Sequence, residues 1–415
     1  MNRRSFARLL AGSSAAVLVE TTLKGRATSL EAAGLEAGLP GKYPLEPGLT
    51  FMNAANLCPS SLPVIESLQR WTTALDRDPS QATKTKLAQA KEETRAALAR
   101  MLRATPEEIV VTRNTSEANN LVSSGLGLKA GDEAVIFADN HPSNHAAWRE
   151  KGTRTGAVVH IVPAPSPHPG PDYFVEAFLK KTTAKTRVWA FTHVTNTVGD
   201  LLPVKDLCRA ARERGIATIV DGAQSFGVLD VDLADLGPDF YTGSGHKWPC
   251  GPREVGVLYA AKQAPTLAPS VISLYAGAVG ASKTLEAYGQ RDEPAVAAFG
   301  AAVRLRAEIG AAAVERHARE LAQALVAGLK KIDGVKIWTD ANPSRSAAVI
   351  SFQPAALDPR SLGTTLYEKD RIACAPRGGA DRPGLRFSPH IYNTHADVEK
   401  VLAAIGRYVK TGLSV

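Results

Sequence analysis

From about residue 60 to 290, short apolar runs alternate with longer stretches of helical period. The runs EIVVT (108–112), AVIFA (134–138), VVHIV (158–162), VWAFT (188–192), ATIV (217–220), DFYT (239–242) and VGVLY (255–259) predict strands. Most are apolar throughout rather than alternating, which is the pattern of strands covered on both faces. Segments between them predict helices, for example Pro203–Arg214, with Pro at its start and Gly215 just past its end. The alternation therefore predicts an α/β fold: a mostly parallel sheet sandwiched by helices. After about 290 the texture changes to Ala-rich helices over 295–331, then strands at 335–338, 348–352 and 385–388, a helix near 359–370 and a last helix from Ala396. That order predicts a smaller α+β domain. The expected division is an arm over 27–58 packing near the small domain, a large domain over 59–290 and a small C-terminal domain over 291–415.

Composition leaves this picture intact, because 44% hydrophobic and 22% charged residues are ordinary for a globular chain. The net charge of +8 changes more when it is located. Arg3, Arg4, Arg8, Lys24 and Arg26 face only Glu20 in residues 1–26, so half of the excess lies there and the body is no nucleic-acid surface. The start MNRRSFAR, followed by a mild apolar run from Leu9 to Val19, resembles a twin-arginine export signal. The run is too short and too weakly apolar to span a bilayer. The expectation is recognition by the twin-arginine export machinery, a periplasmic or secreted location, and no stable membrane insertion. Cys58, Cys208, Cys250 and Cys374 are widely spaced with no C-x-x-C pair, so they read as buried small residues and no metal is expected.

The chemistry gathers at the ends of the expected strands, where open α/β sheets bind ligands. A protein that uses pyridoxal 5′-phosphate (PLP) needs a lysine to form an imine, an acid for the pyridine nitrogen, a phosphate cradle and a cation for the substrate carboxylate. In TGSGHKWPCGP (242–252), Gly243 and Gly245 let the chain turn and approach a ligand, Ser244 and His246 can donate to a phosphate, and Lys247 is left for the imine. Asp221 in IVDGAQ ends an apolar strand, where a buried carboxylate would keep the ring nitrogen protonated. Gln224, three residues on, and Asn196 in THVTNTVG can reach the phenolic oxygen. Thr115 and Ser116 in TRNTSEANN stand where strand gives way to helix, so N–H groups, hydroxyls and dipole converge on an anion. His141 in DNHPSNHAAW can lay its ring on the pyridine face, and Arg386 in LRFSPHIYNT presents a fork suited to a carboxylate. Taken alone, Asp221 could equally cap a helix, Thr115 and Ser116 could open a capping box with Glu117, and His141 could be structural.

In this order the motifs resemble the class V aminotransferase family of fold-type I PLP enzymes, from about Phe51 to the C-terminus. The family includes cysteine desulfurases, isopenicillin N epimerase-like proteins and kynureninases; HKWPCGP, GQRDEP (289–294) and RFSPHIYNT look most like the epimerase-like members. The resemblance implies Thr115, Ser116, Ser244 and His246 on phosphate, His141 stacked on the ring, Asn196 and Gln224 at the phenolic oxygen, Asp221 at the nitrogen, Lys247 as catalytic lysine and Arg386 on the substrate carboxylate. It also implies a homodimer in which SLYAGAVG (273–280) reaches the partner's phosphate. REVGVLY departs from relatives that carry a Gly-rich K-G-T-G stretch there. The implied substrate is an amino acid or a metabolite derived from one, undergoing epimerisation or transamination; export adds the tailoring of a secreted peptide metabolite such as a siderophore. A desulfurase needs a nucleophilic cysteine before the carboxylate-binding arginine, and Cys374 in RIACAP reads instead as a packed residue in a strand. A non-catalytic binding relative would have lost Lys247 or Asp221, and both are present.

Overall fold

The computed structural model describes residues 39–271, 284–378 and 381–413. The export segment and the stretch 273–280 therefore lie outside the described residues. The arm carries a short strand β1 (Thr50–Phe51). Seven strands follow: β2 (Ile109–Thr112), β3 (Glu133–Phe137), β4 (Val158–Val162), β5 (Thr186–Thr192), β6 (Ala217–Asp221), β7 (Phe240–Ser244) and β8 (Gly256–Ala260). They form one sheet in the order β2-β8-β7-β6-β5-β3-β4. Only β8 runs against its neighbours, so β2 and β7, which flank it, point the same way. Every residue of β3, β6, β7 and β8 is buried, as befits mostly apolar strands covered on both faces. At the open edge β4 exposes Val158 and Ile161.

The helices that follow β2 and β3 begin at the same end of the sheet. Thr115–Gly125 is capped by Asn114, whose side chain accepts from the Glu117 amide. Pro142–Thr155 is capped by His141, with Pro142 in the first turn and Gly156 closing it in a left-handed conformation (φ 74°). The expected helix after β5 covers Val204–Arg212, with Pro203 as its N-cap.

The small domain holds β9 (Val335–Ile337), β10 (Ile350–Pro354), β11 (Ile372–Ala373), β12 (Ala375–Arg377) and β13 (Gly384–Phe387). Four of them form the sheet β12-β13-β10-β9, while β11 pairs in parallel with β1 of the arm. The change of texture at 290 does not coincide with a change of core. Helix Glu293–Ile309 buries Val296, Phe299 and Val303 in the large-domain core. The next helix, Ala311–Leu329, crosses between cores: Val314 and Ala318 belong to the first, Leu321 and Leu325 to the second. The Ala-rich composition reported the helices correctly but could not report which sheet they cover.

Candidate functional site

Lys247 stands three residues past β7, in the turn that leads into Trp248. Burial pushes its ammonium down to about 8, with Asp221 pulling it back up and Arg386 pushing it further down. The glycines around it are small for a reason other than ligand approach. A Cβ on Gly243 would sit 2.5 Å from Phe226, and one on Gly245 would sit 2.6 Å from Val255. The apolar core behind the turn already excludes side chains there.

Asp221 ends β6, flanked in register by Thr192 of β5 and Thr242 of β7. Its carboxylate is buried and accepts from Asn119 Nδ2 (2.8 Å) and from the Ala223 amide (3.0 Å). Asn119 in turn accepts from the Thr242 hydroxyl (2.9 Å), so its amide orientation is set from both ends. A buried hydrogen bond to a charged group of this kind contributes about 1.5–3 kcal/mol. Asn119 was inside the quoted motif but was given no role. One turn beyond Thr115, it shares that residue's helix face, and this spacing was the available signal.

The two cradle residues part company. Thr115 is buried, and both its amide (2.9 Å) and its hydroxyl (2.8 Å) meet Ser244 Oγ, joining the ends of β2 and β7. Ser116 is exposed and bonds Ser143 Oγ at 3.3 Å. His246 is pushed down to about 4 by burial, then by the charges of Lys247 and Arg253.

His141 holds its ring by capping the helix: Nδ1 accepts from the Ser143 amide (3.2 Å) and meets its hydroxyl (2.8 Å). The ring is exposed, and Lys247, Asp221, Arg386 and Arg377 all bear on its charge. The Gln224 amide is spent mainly on protein, donating to Ala55 O (3.0 Å) and accepting from Trp248 Nε1 (2.9 Å), with one N–H remaining. Asn196 contributes its main chain: its carbonyl accepts from Arg386 (2.9 Å) and from Arg377 (3.2 Å).

Arg386 lies on β13, paired with Ser351 and Ala375 on either side. It is buried, its second fork nitrogen reaches Asn53 Oδ1 of the arm (3.2 Å), and its Nε has no partner. Among the described residues no carboxylate neutralises it. Burial, then the charge of Arg377, push it down to about 10. Beyond these two, Arg382 pairs with Asp139 at 3.3 Å, and Asp139 also accepts from Thr197. Asp200 is pushed up to about 7 by burial and then by Asp139. Arg377, Arg382, Asn53 and Asp139 were missed in the sequence, where nothing local marks residues so far apart.

Cys374 falls between β11 and β12 against the small-domain core, and burial pushes its thiol up to about 12. No helix among the described residues is long and apolar enough to cross a membrane.

Comparison with known proteins identifies the family. The family model described as "Aminotransferase class-V" matches residues 55–401. Isopenicillin N epimerase of Amycolatopsis lactamdurans is 32% identical, over 87% of this chain and 95% of that protein. A probable cysteine desulfurase of Halalkalibacterium halodurans is 30% identical, over 71% of this chain and 75% of that one. Among solved structures, a variant of C-DES with glycine covalently linked to its PLP cofactor is 24% identical, superposes with a TM-score of 0.82 and covers 88% of this chain and 98% of that chain.

Proposed function

This chain belongs to the class V aminotransferase family, and on that premise we propose that it is a PLP-dependent enzyme moving a proton at the α-carbon of an amino acid or amino-acid-derived metabolite. One observation carries the reading: Asp221, held by Asn119, and Arg386, with no carboxylate among the described residues, are both buried, and half-buried Lys247 lies within reach of both charges. The site fits the cofactor, because a buried acid braced by Asn119, a lysine beside it and a cationic strand end are the groups it requires. When bound, PLP supplies the electron sink that lets the α-proton leave. Asp221 would hold the ring nitrogen and keep it protonated, with Asn119 and the Ala223 amide orienting its oxygens. The one hydroxyl hydrogen that the Thr115–Ser244 pair leaves over, together with His246, would hold the phosphate, and His141 would cover one face of the ring. Lys247 Nζ, brought to about 8, can both take and return a proton near neutral pH. Arg386 receives the substrate carboxylate, and Arg377, held on the same Asn196 carbonyl, favours a substrate with a second anionic group.

Return of the proton to the opposite face gives epimerisation, and its return elsewhere gives transamination. The epimerase relative favours the first. The test is a screen of amino acids and small peptides in D2O, read by cofactor absorbance and by mass spectrometry of products. Deuterium entering Cα with inverted configuration is expected; absence of exchange from every amino acid and peptide tried would overturn the reading. The desulfurase relative supports a second reading. It requires sulfide release from L-cysteine that is abolished by Cys374→Ala, against the raised thiol found there.

The export reading rests on Arg3 and Arg4, and with it the tailoring of a secreted peptide metabolite. A reporter fused to residues 1–30 is expected in the periplasm, and Arg3→Lys with Arg4→Lys is expected to block it. The homodimer rests on family resemblance and is tested by light scattering of the purified protein.

A further inference from the structure

Directly behind the lysine turn lies a group of side chains that the proposed reaction does not use. Cys58, Cys250 and His390 are fully buried, and their two sulfurs and one imidazole nitrogen all lie within 4.8 Å of one another. Aromatic rings enclose them: Trp248 meets His390 edge-on at 5.1 Å, His390 meets Tyr392 at 5.8 Å, and Tyr43 meets Tyr392 at 5.2 Å.

The imidazole is set in an informative way. His390 Nε2 lies 2.6 Å from the Trp248 carbonyl, which can only accept, so Nε2 carries the hydrogen. That leaves Nδ1 with a bare lone pair, and Nδ1 is buried with no partner. An orphaned buried acceptor is costly, and histidines that ligate metals have just this arrangement, one nitrogen tied to a carbonyl and the other free for the ion. The Tyr43 hydroxyl is likewise buried without a partner and adjoins Cys250.

We propose that Cys58, Cys250 and His390 form a structural metal site for a zinc ion, with Tyr43 oxygen at the fourth position. Tetrahedral zinc needs sulfur–sulfur separations of about 3.8 Å, which the present spacing reaches by small side-chain rotations. Two thiolates cancel the charge of Zn(II), so the ion enters an apolar enclosure as a neutral unit. The site would brace the catalytic turn: the Cys58 amide donates to His246 O (2.9 Å) and the Cys250 amide to Lys247 O (2.8 Å).

The test uses purified holoenzyme, titrated with Zn(II) against a chromophoric chelator and with Co(II), whose d–d bands lie to the red of the cofactor. One equivalent per chain is expected, with Cys58→Ser and Cys250→Ser each weakening it at least 100-fold and Cys208→Ser leaving it unchanged. Wild-type protein supplies a second readout that does not depend on the variants folding. Zn(II) should protect Cys58 and Cys250 from alkylation in a brief urea pulse while Cys208 and Cys374 label as before. Absence of stoichiometric uptake, uptake unchanged in the cysteine variants, or a Cys58–Cys250 disulfide in the native protein would each overturn the proposal.

Discussion

The two sides of the site are built on opposite principles. On the sheet side, polar groups satisfy one another: Asp221 with Asn119, Asn119 with Thr242, and Thr115 with Ser244. On the small-domain side, Arg386 has no carboxylate partner among the described residues and an orphaned Nε, and Asp200 is buried with its carboxyl pushed toward neutrality. The first arrangement is rigid before anything binds, which suits holding one unchanging cofactor. The second leaves charge in need of a partner, which suits an anionic substrate that comes and goes.

Removing the group between the two sides should cost most. Lys247→Ala is expected to abolish turnover, by a factor on the order of 10^5 or more, and to remove the visible absorbance of bound cofactor. On the sheet side, Asp221→Asn is expected to lower kcat by a factor on the order of 10^3. Asn119→Ala, which acts only through Asp221, should lower it by about 10- to 100-fold. Steady-state kinetics would break the comparison if Asn119→Ala were the worse of the two. On the other side, Arg386→Gln should raise KM and lower kcat/KM by about 30- to 1000-fold, the loss of a buried charge pair of roughly 2–4 kcal/mol. Arg377→Gln should cost about 10-fold or less, and either variant altering kcat more than KM would sink the division of labour.

The smaller effects are in pH. Lys247 must lose its proton to capture the cofactor, so the rate at which apoprotein binds PLP should rise with pH about a midpoint near 8. A midpoint at the ordinary lysine value would show that the burial seen here is not felt. Asp200 runs the other way. Its folded value lies above its unfolded one, so the fold favours the neutral acid and stability falls as pH rises between about 4 and 7. Asp200→Asn should therefore stabilise the protein by about 4 kcal/mol more at pH 8 than at pH 4, read as Tm at both.

Much of the fold was legible because its signals are local. Unbroken apolar runs marked the buried strands within one or two residues, and Pro and Gly marked helix ends. Lys247, Asp221, Thr115 and Ser244 stand out in the sequence as candidates because each sits at or just past a strand end, where a short motif carries the local structure. The small-domain boundary was not, since an Ala-rich helix looks the same whichever core it covers. The glycines beside Lys247 were read for the wrong neighbour, because sequence shows that a side chain is excluded but not what excludes it.

The sequence by itself determined the strand-and-helix alternation and, through its ordered motifs, the class of cofactor chemistry. Only the tertiary structure decided which distant groups complete the site. Asn53, Asn196, Arg377 and Arg386 meet around one carbonyl and one side-chain amide, across more than 300 residues of chain. Cys58, Cys250 and His390, far apart in sequence, converge in the same way behind Lys247. Burial, proximity and the loss of a hydrogen-bond partner are properties of packing, and they alone shifted these groups from ordinary residues to reactive ones.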